Sequence, residues 1–477
     1  MKLRKYQTAL NKPALKFLKA IKGNRAQVYA PTGSGKTVCF NELLKKAIQL
    51  GKVNICIVHP RIALSQDQLQ RFRNEFGTRV RTASFHSGKH IAGESTVAEI
   101  GTLSKDALLS DIEQSKTILS VPHVTFTTYN SYSKLLDIKF DIIIFDEAHY
   151  MVQDNFYSWI KDINADKILF YTATPITNEL EDGYMMDFSL FGPIIASVLP
   201  KELIPLGYVV APLVHRLEVS TNKRGDEVDI IDIVARAYVE QWNEMTSFGM
   251  PYHQMLVAAR GVNTDLREIE DRLDELWNKI SILTQGRISQ VDVYTVEADG
   301  SYKNRIPQNS RSEALEEIKK SGKNCIIAHY DTLSEGIDID TLSGVLLMRK
   351  MSKAKIIQMI GRCARPFIGD LNDKKEPRKE IFDLENGIDL RKKPRCIVTL
   401  PVIDGVWIAN DNGTQVAEAF SLAGYEDLTT YLADKDDSAN GKKKTGFVIA
   451  EDDTVASAAL NHKLVKELEQ LKKIFEY

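Results

Sequence analysis

The chain has 477 residues, 43% hydrophobic and 26% charged, which suits a folded protein of several domains and excludes a disordered, collagen-like or small disulfide-stapled chain. Its formal net charge is only −2, which by itself argues against a polyanionic partner. The charge is unevenly placed, however: residues 1–90 hold 18 Lys and Arg against 3 Asp and Glu, and residues 341–400 hold 14 against 7, an asymmetry that can mark a polyanion site.

Short apolar runs alternating with helical periodicity predict an α/β chain. In the first half, Ala26–Tyr29, Asn54–Val58, Val124–Thr127, Asp141–Phe145 and Lys167–Tyr171 read as buried parallel strands, and Val38–Leu50 as a helix. Pro193, Pro200, Pro205 and Pro212 punctuate residues 187–212, which read as a connector. Gln254–Ala259, Val291–Val296, Asn324–His329 and Val345–Met348 then read as a second strand series. Among them one helix is expected over Asp265–Leu283, with Leu266, Ile269, Leu273, Leu276, Ile280 and Leu283 on a single apolar face. Residues 366–395 are charged and turn-rich, and Cys396–Val402 reads as a strand. The remainder, 403–477, is acidic, with 14 Asp and Glu against 8 Lys and Arg, and ends in the helical stripe Leu460, Leu464, Leu468, Leu471 and Phe475. The expected domains are therefore 1–186, a connector at 187–212, 213–402, and an appendage at 403–477 that could dock a partner protein.

No apolar run reaches the roughly 18 residues of a membrane span, and the start Met1-Lys2-Leu3-Arg4-Lys5 lacks an apolar signal segment. Five cysteines without a C-x-x-C pair indicate a reducing, cytoplasmic compartment. His86, His123 and His253 show no metal-ligand spacing.

Ala30-Pro31-Thr32-Gly33-Ser34-Gly35-Lys36-Thr37 matches the phosphate-binding loop, between a predicted strand and a predicted helix. Glycines let the backbone N–H groups of Thr32 to Thr37 curl around phosphate oxygens, and the helix N-terminus adds a favourable field. Lys36 is expected to reach the β- and γ-phosphates and Thr37 to offer a hydroxyl to Mg²⁺. Further on, Asp146-Glu147-Ala148-His149 caps the apolar run Ile142-Ile143-Ile144-Phe145. A carboxylate there, on a strand expected beside the phosphate-loop strand, can hold the Mg²⁺ shell, which assigns Asp146 as a metal residue. Glu147 is expected to orient or deprotonate the attacking water.

With these motifs in place the sequence resembles a superfamily 2 helicase of the DEAH-box type, in the style of DNA repair, recombination, branch-migration and restriction-motor enzymes. Tyr171-Thr172-Ala173-Thr174-Pro175 resembles the family's third motif, with Thr172 in place of the commoner serine. His329-Tyr330-Asp331-Thr332-Leu333-Ser334-Glu335-Gly336-Ile337-Asp338 resembles its fifth, and Gln358-Met359-Ile360-Gly361-Arg362-Cys363-Ala364-Arg365 the Q-x-x-G-R-x-x-R sixth. The resemblance implies two tandem RecA-like domains with ATP in the cleft between them. It implies Arg365 as arginine finger with Arg362 beside it, Gln358, His149, Thr172 and Thr174 as coupling residues, and Gly336 and Asp338 at the nucleotide. Arg362 and Arg365 are expected one turn apart on a helix. Leu3-Arg4-Lys5-Tyr6-Gln7 resembles the segment whose glutamine reads adenine, a role for which Gln7 has both a donor and an acceptor. His59-Pro60-Arg61 and Thr127-Thr128-Tyr129-Asn130 resemble motifs Ia and Ib, which implies nucleic-acid backbone contacts at Arg61 and Thr128, with Thr332 from the other lobe. The implied activity is an ATP-dependent DNA helicase or translocase acting on single-stranded, duplex or branched DNA. An RNA helicase, or an ATPase switch without strand separation, stand as alternatives.

Overall fold

The computed structural model describes residues 3–86, 103–119, 121–173, 185, 187–219, 229–297, 300–308, 310–330, 339, 341–349, 351–383, 386–403 and 406–407. Thr174, Thr332, Gly336, Asp338 and all but a few residues of 403–477 lie outside them. The chain divides between Leu199 and Pro200 into two compact units.

The first unit contains α1 (Lys5–Lys19), β1 (Arg25–Tyr29), α2 (Lys36–Gln49), β2 (Asn54–His59), α3 (Ile62–Phe76), β3 (Arg81–Phe85) and α4 (Lys105–Gln114). It continues with β4 (His123–Thr128), β5 (Phe140–Asp146), β6 (Ala165–Thr172) and β7 (Ile194–Ser197). The strands form one sheet in the order β3-β4-β2-β5-β6-β1-β7, every pair parallel. A parallel sheet has both faces covered, so its strands are continuous apolar runs; Ile142, Ile143, Ile144 and Phe145 of β5 are all fully buried. The strand order corrects one expectation. β5, which ends in Asp146, does not adjoin β1; β6 lies between them. The sequence shows which strands carry the motifs but not their lateral order, which depends on where the crossover helices pack.

The second unit contains β8 (Ala211–Val219), a helix over Ile230–Ser247, β9 (Gln254–Ala258), β10 (Asp292–Val296), β11 (Ser301–Lys303), β12 (Ile306–Pro307) and a helix over Arg311–Ser321. It continues with β13 (Cys325–His329), β14 (Gly344–Leu347), a helix over Lys353–Cys363, β15 (Phe382–Asp383), β16 (Ile388–Asp389), β17 (Arg395–Ile403) and β18 (Val406–Trp407). Six strands, in the order β10-β13-β9-β14-β17-β8, run parallel. β11 and β12 extend the β10 edge as an antiparallel hairpin.

The stretch 187–212, expected as a connector, instead supplies edge strands. β7 adds to β1 at one end of the first sheet, and β8 begins at Ala211 and lies on β17 at the edge of the second. Prolines are tolerated on edge strands, where one side of the backbone needs no ladder partner; Pro212 sits inside β8 for this reason. The helix expected over Asp265–Leu283 is broken. Arg272 (φ −106°, ψ 28°) separates Arg267–Asp271 from Leu273–Leu283, and its guanidinium bonds Asp229, Glu268 and Glu275 at 2.6–2.9 Å. The apolar face survives the break, with Leu266, Ile269, Leu273, Leu276 and Ile280 buried, but Leu283 is 43% exposed. Among the described residues no helix is long and apolar enough to cross a membrane, and all five cysteines are buried free thiols.

Candidate active site

The chemistry gathers where β1, β5 and β6 of the first unit end. The backbone leaves β1 at Ala30, turns through Gly33 (φ 82°) and Gly35 (φ 79°), and enters α2 at Lys36. Both glycines occupy the left-handed region that other residues rarely adopt. At Gly35 a side chain would be strained by this backbone and would also displace Gln7 Nε2, which lies 2.5 Å from an added Cβ. The turn is braced from within and from α1. Ser34 Oγ donates to Pro31 O (2.7 Å), while Tyr6 Oη and Gln7 Nε2 both donate to Ser34 O at 2.7 and 2.9 Å. Gln7 Oε1 accepts from the amide of the N-cap residue, Arg4 N (3.0 Å), at the start of α1. Gln7, expected to read adenine, is thus buried and engaged in holding the phosphate loop against α1. Tyr6 was not singled out from the sequence, although it adjoins Gln7 in the same motif.

Lys36 is buried, and its Nζ lies 3.1 Å from Glu147 Oε1 and 3.4 Å from Ala30 O. It spans the end of β6 to reach the carboxylates, so the intervening strand does not separate them. Asp146 closes β5. Its Oδ1 accepts from Glu147 N (3.1 Å), its Oδ2 lies 3.3 Å from His59 Nδ1, and its carbonyl accepts from Tyr129 Oη (2.8 Å). Burial works against its charge, but His59, Lys36 and the Glu147 amide outweigh that and hold the carboxyl below the usual carboxylate range. An ionised, buried carboxylate at a strand end is a suitable anchor for a divalent cation. His59 and Tyr129 are neighbours of the site that the sequence reading passed over; the signal was their place within the motif Ia and Ib segments.

Glu147 adopts φ 51°, ψ 52°, a left-handed conformation that is uncommon outside glycine, asparagine and aspartate. This aims its carboxylate between Lys36 and His149, whose Nδ1 is 3.6 Å from Glu147 Oε2. His149 Nδ1 also lies 3.2 Å from Thr172 Oγ1 at the end of β6, which joins the Asp146–His149 segment to the third motif. Burial pushes the His149 imidazole down to about 4, so it is neutral at pH 7. Thr32 Oγ1 and Glu147 Oε2 are buried with no hydrogen-bond partner among the described residues, polar groups that fit a ligand bringing phosphate oxygens and water. Thr37 is half-buried in the first turn of α2.

The remaining predicted residues are placed as follows. Arg61 is half-buried at the N-cap of α3, directly after β2. Thr128, at the end of β4, is buried with its hydroxyl donating to Ser131 Oγ (3.2 Å), so its side chain is engaged inside the unit. In the second unit Gln358 and Arg362 are buried on the Lys353–Cys363 helix, which Ser352 caps through Lys355 N. Arg365 is not on that helix, as had been expected: the helix ends at Cys363, Ala364 (φ −77°, ψ 8°) caps it, and Arg365 begins the outgoing loop. Pro366 explains the early stop, since the residue before a proline is driven out of helical geometry. Desolvation pushes the Arg365 guanidinium down to about 10, which leaves it a cation at neutral pH. Where β13 and β14 end, the Arg349 guanidinium lies 4.6 Å from the centre of the Tyr330 ring, which is 40% exposed.

Residues 1–177 match the family model described as type III restriction enzyme, res subunit, and residues 254–366 match the helicase conserved C-terminal domain. The chain is 23% identical over 397 residues to the DNA 3'-5' translocase XPB2 of Sulfurisphaera tokodaii, covering 76% of this chain and 79% of that protein. Among solved structures, the type ISP restriction-modification enzyme LlaBIII bound to DNA matches with a TM-score of 0.65 at 18% identity over 89% of this chain. A nuclease-deletion mutant of LlaGI in complex with a DNA substrate mimic matches at 0.59 and 18% over 88%. The chain spans only 30% and 29% of those two enzymes. Mss116p bound to ssRNA and AMP-PNP matches at 0.50 and 14%, over 90% of this chain and 80% of that one. At these identities the structural likenesses establish the fold, two tandem RecA-like domains. The phosphate loop, Asp146 and Glu147 lie inside the first family match, and Gln358, Arg362 and Arg365 inside the second, so the chain is similar in both halves of its motor core to superfamily 2 helicases, which supports a nucleic-acid-dependent ATPase of restriction-motor type.

Proposed function

We propose that this chain is an ATP-driven DNA translocase that uses hydrolysis to move along one strand and to separate or remodel duplex and branched DNA. The observation that carries the reading is the meeting of Lys36, Asp146, Glu147, His149 and Thr172 within 3.1–3.6 Å contacts at the strand ends, beside the Gly33–Gly35 turn that opens α2. Lys36 would exchange its contact with Glu147 for the β- and γ-phosphates, and Thr37 and Asp146 would hold Mg²⁺. The bound Mg²⁺ neutralises charge that develops on the phosphoryl oxygens. Glu147, released from Lys36, would accept a proton from the attacking water. Arg365 and Arg362 would neutralise the γ-phosphoryl charge, and Gln358 would couple the nucleotide to the second unit. The His149–Thr172 contact would carry the state of Glu147 to the third motif. Gly336 and Asp338 at the nucleotide, Thr174 in coupling and Thr332 at the nucleic acid keep the roles their motifs imply.

DNA is favoured as the track by the translocase relative and by the two DNA-bound restriction enzymes. Arg61 and the Tyr330–Arg349 pair are the groups proposed to meet it, the former through phosphate and the latter by stacking on a base. A cytoplasmic role in DNA repair, recombination or restriction, with 403–477 docking a partner, suits this chemistry. The deciding experiment is ATP turnover with single-stranded, duplex and forked DNA and with RNA, followed by strand displacement. Stimulation by DNA supports the proposal; stimulation by RNA alone overturns it, and stimulation without displacement or translocation leaves a nucleic-acid-gated switch.

A further inference from the structure

We infer that Lys393 is a positioning residue for Arg365: it ties the loop that carries the arginine to the neighbouring strand from inside the second unit. The inference rests on the reading of Arg365 as the arginine that meets the γ-phosphate. Arg365 lies just beyond the Lys353–Cys363 helix, where no helical hydrogen bond holds its carbonyl. Lys393 bonds this carbonyl from the neighbouring strand. Its Nζ donates to Arg365 O (2.7 Å) and to Leu342 O, and the residue has no exposed surface.

Three features make this a built arrangement. Leu342 lies two residues before β14 and Lys393 two before β17, and these strands pair directly, Gly344 opposite Ile397. Lys393 therefore reaches Arg365 from the rigid start of the sheet. The position just past a helix C-terminus also favours a cation, since the macrodipole is negative there. Finally, Lys393 is itself held: Asp370, also buried, accepts from Lys392 N (3.0 Å) and Lys393 N (3.1 Å) through its two carboxylate oxygens. The excursion between Arg365 and Lys393 is thus closed at its base, and the charged, turn-rich stretch read from the sequence as a loop ends in a clamp. Placing an arginine to within about 1 Å matters because a shift of that size at a reacting group costs roughly a hundredfold in rate.

The test is a double-mutant cycle on DNA-stimulated ATP hydrolysis by the full chain, with Lys393→Met and Arg365→Ala alone and together. Lys393→Met keeps an unbranched apolar stem of similar reach and removes the ammonium donors. Expected is a fall in kcat of about tenfold or more with little change in the KM for ATP, and no further fall when Lys393→Met is added to Arg365→Ala. Equal losses in both backgrounds overturn the clamp alone. Full turnover in Arg365→Ala overturns the arginine reading and the clamp with it. Because removing a buried lysine can prevent folding, Asp370→Asn serves as the second variant. It turns one acceptor facing the Lys392 and Lys393 amides into a donor, and it should show the same kcat loss and the same masking by Arg365→Ala; an unchanged kcat in a folded Asp370→Asn protein counts against the inference.

Discussion

Glu147 shows most directly how a single residue can carry both strain and function. A left-handed glutamate costs on the order of 1–2 kcal/mol in backbone energy, and in return its carboxylate stands between Lys36 and His149. Glu147→Gln should keep the backbone and nucleotide binding but cut turnover by about a hundredfold or more, measured as kcat against nucleotide affinity; a variant that hydrolyses ATP normally would remove Glu147 from the mechanism. His149 gives a pH prediction. Its folded pKa, about 4 through burial, lies below the ordinary imidazole value of about 6.5, so the unfolded chain binds more protons between those values. Stability is therefore full above about 6.5 and falls as pH drops toward 4, by on the order of 3 kcal/mol from this group. Urea unfolding across that range should show the decline, and His149→Gln should flatten it; identical slopes in the two proteins would contradict the assignment. Asp146, held below the usual carboxylate range, acts in the same direction but only at lower pH.

Among the elements, the α1–phosphate loop contact decides the most. Gln7 spends its oxygen on the Arg4 amide and its nitrogen on Ser34 O, so Gln7→Ala should loosen the loop before it affects adenine recognition. The expected result is a raised KM for GTP and ATP alike; a loss confined to ATP would restore the adenine-reading role. Gly35→Ala should be more severe, since it adds a left-handed strain to a 2.5 Å approach on Gln7 Nε2. Its nucleotide affinity should fall well below that of Gln7→Ala, measured by titration. The central strands of both sheets were legible in the sequence because double-sided burial writes them as continuous apolar runs. The edge strands β3, β7 and β8 were not, because half-exposed backbone tolerates charge and proline. The broken helix at Arg272 was hidden for a related reason: the apolar periodicity runs through the break, while the cause is an ion-pair cluster that includes Asp229, far away in sequence. Within the site, Lys36, Asp146, Glu147 and His149 were legible from motif and spacing. Tyr6, His59, Tyr129 and Lys393 were not, since each acts through a contact with a residue remote from it along the chain.

Across the whole molecule, the charge surplus of residues 1–90 is the physical basis for holding a polyanion, and it predicts salt-dependent binding. Arg61→Ala should weaken DNA binding similarly for all sequences and reduce the slope of log K against log salt by roughly 1; an unchanged slope would take Arg61 off the interface. The sequence by itself determined the chemistry available: a phosphate loop, a paired carboxylate, a cluster of arginines and the α/β alternation that carries them, because each is encoded in a run of neighbouring residues. Only the tertiary structure decided what each group touches. It set β6 between β1 and β5, gave Gln7 to the phosphate loop, turned Thr128 inward, moved Arg365 off its helix and brought Lys393 beneath it. Those outcomes depend on lateral strand order and on contacts between residues up to 51 positions apart in the Lys393 clamp, and no local pattern of residue types specifies such distances.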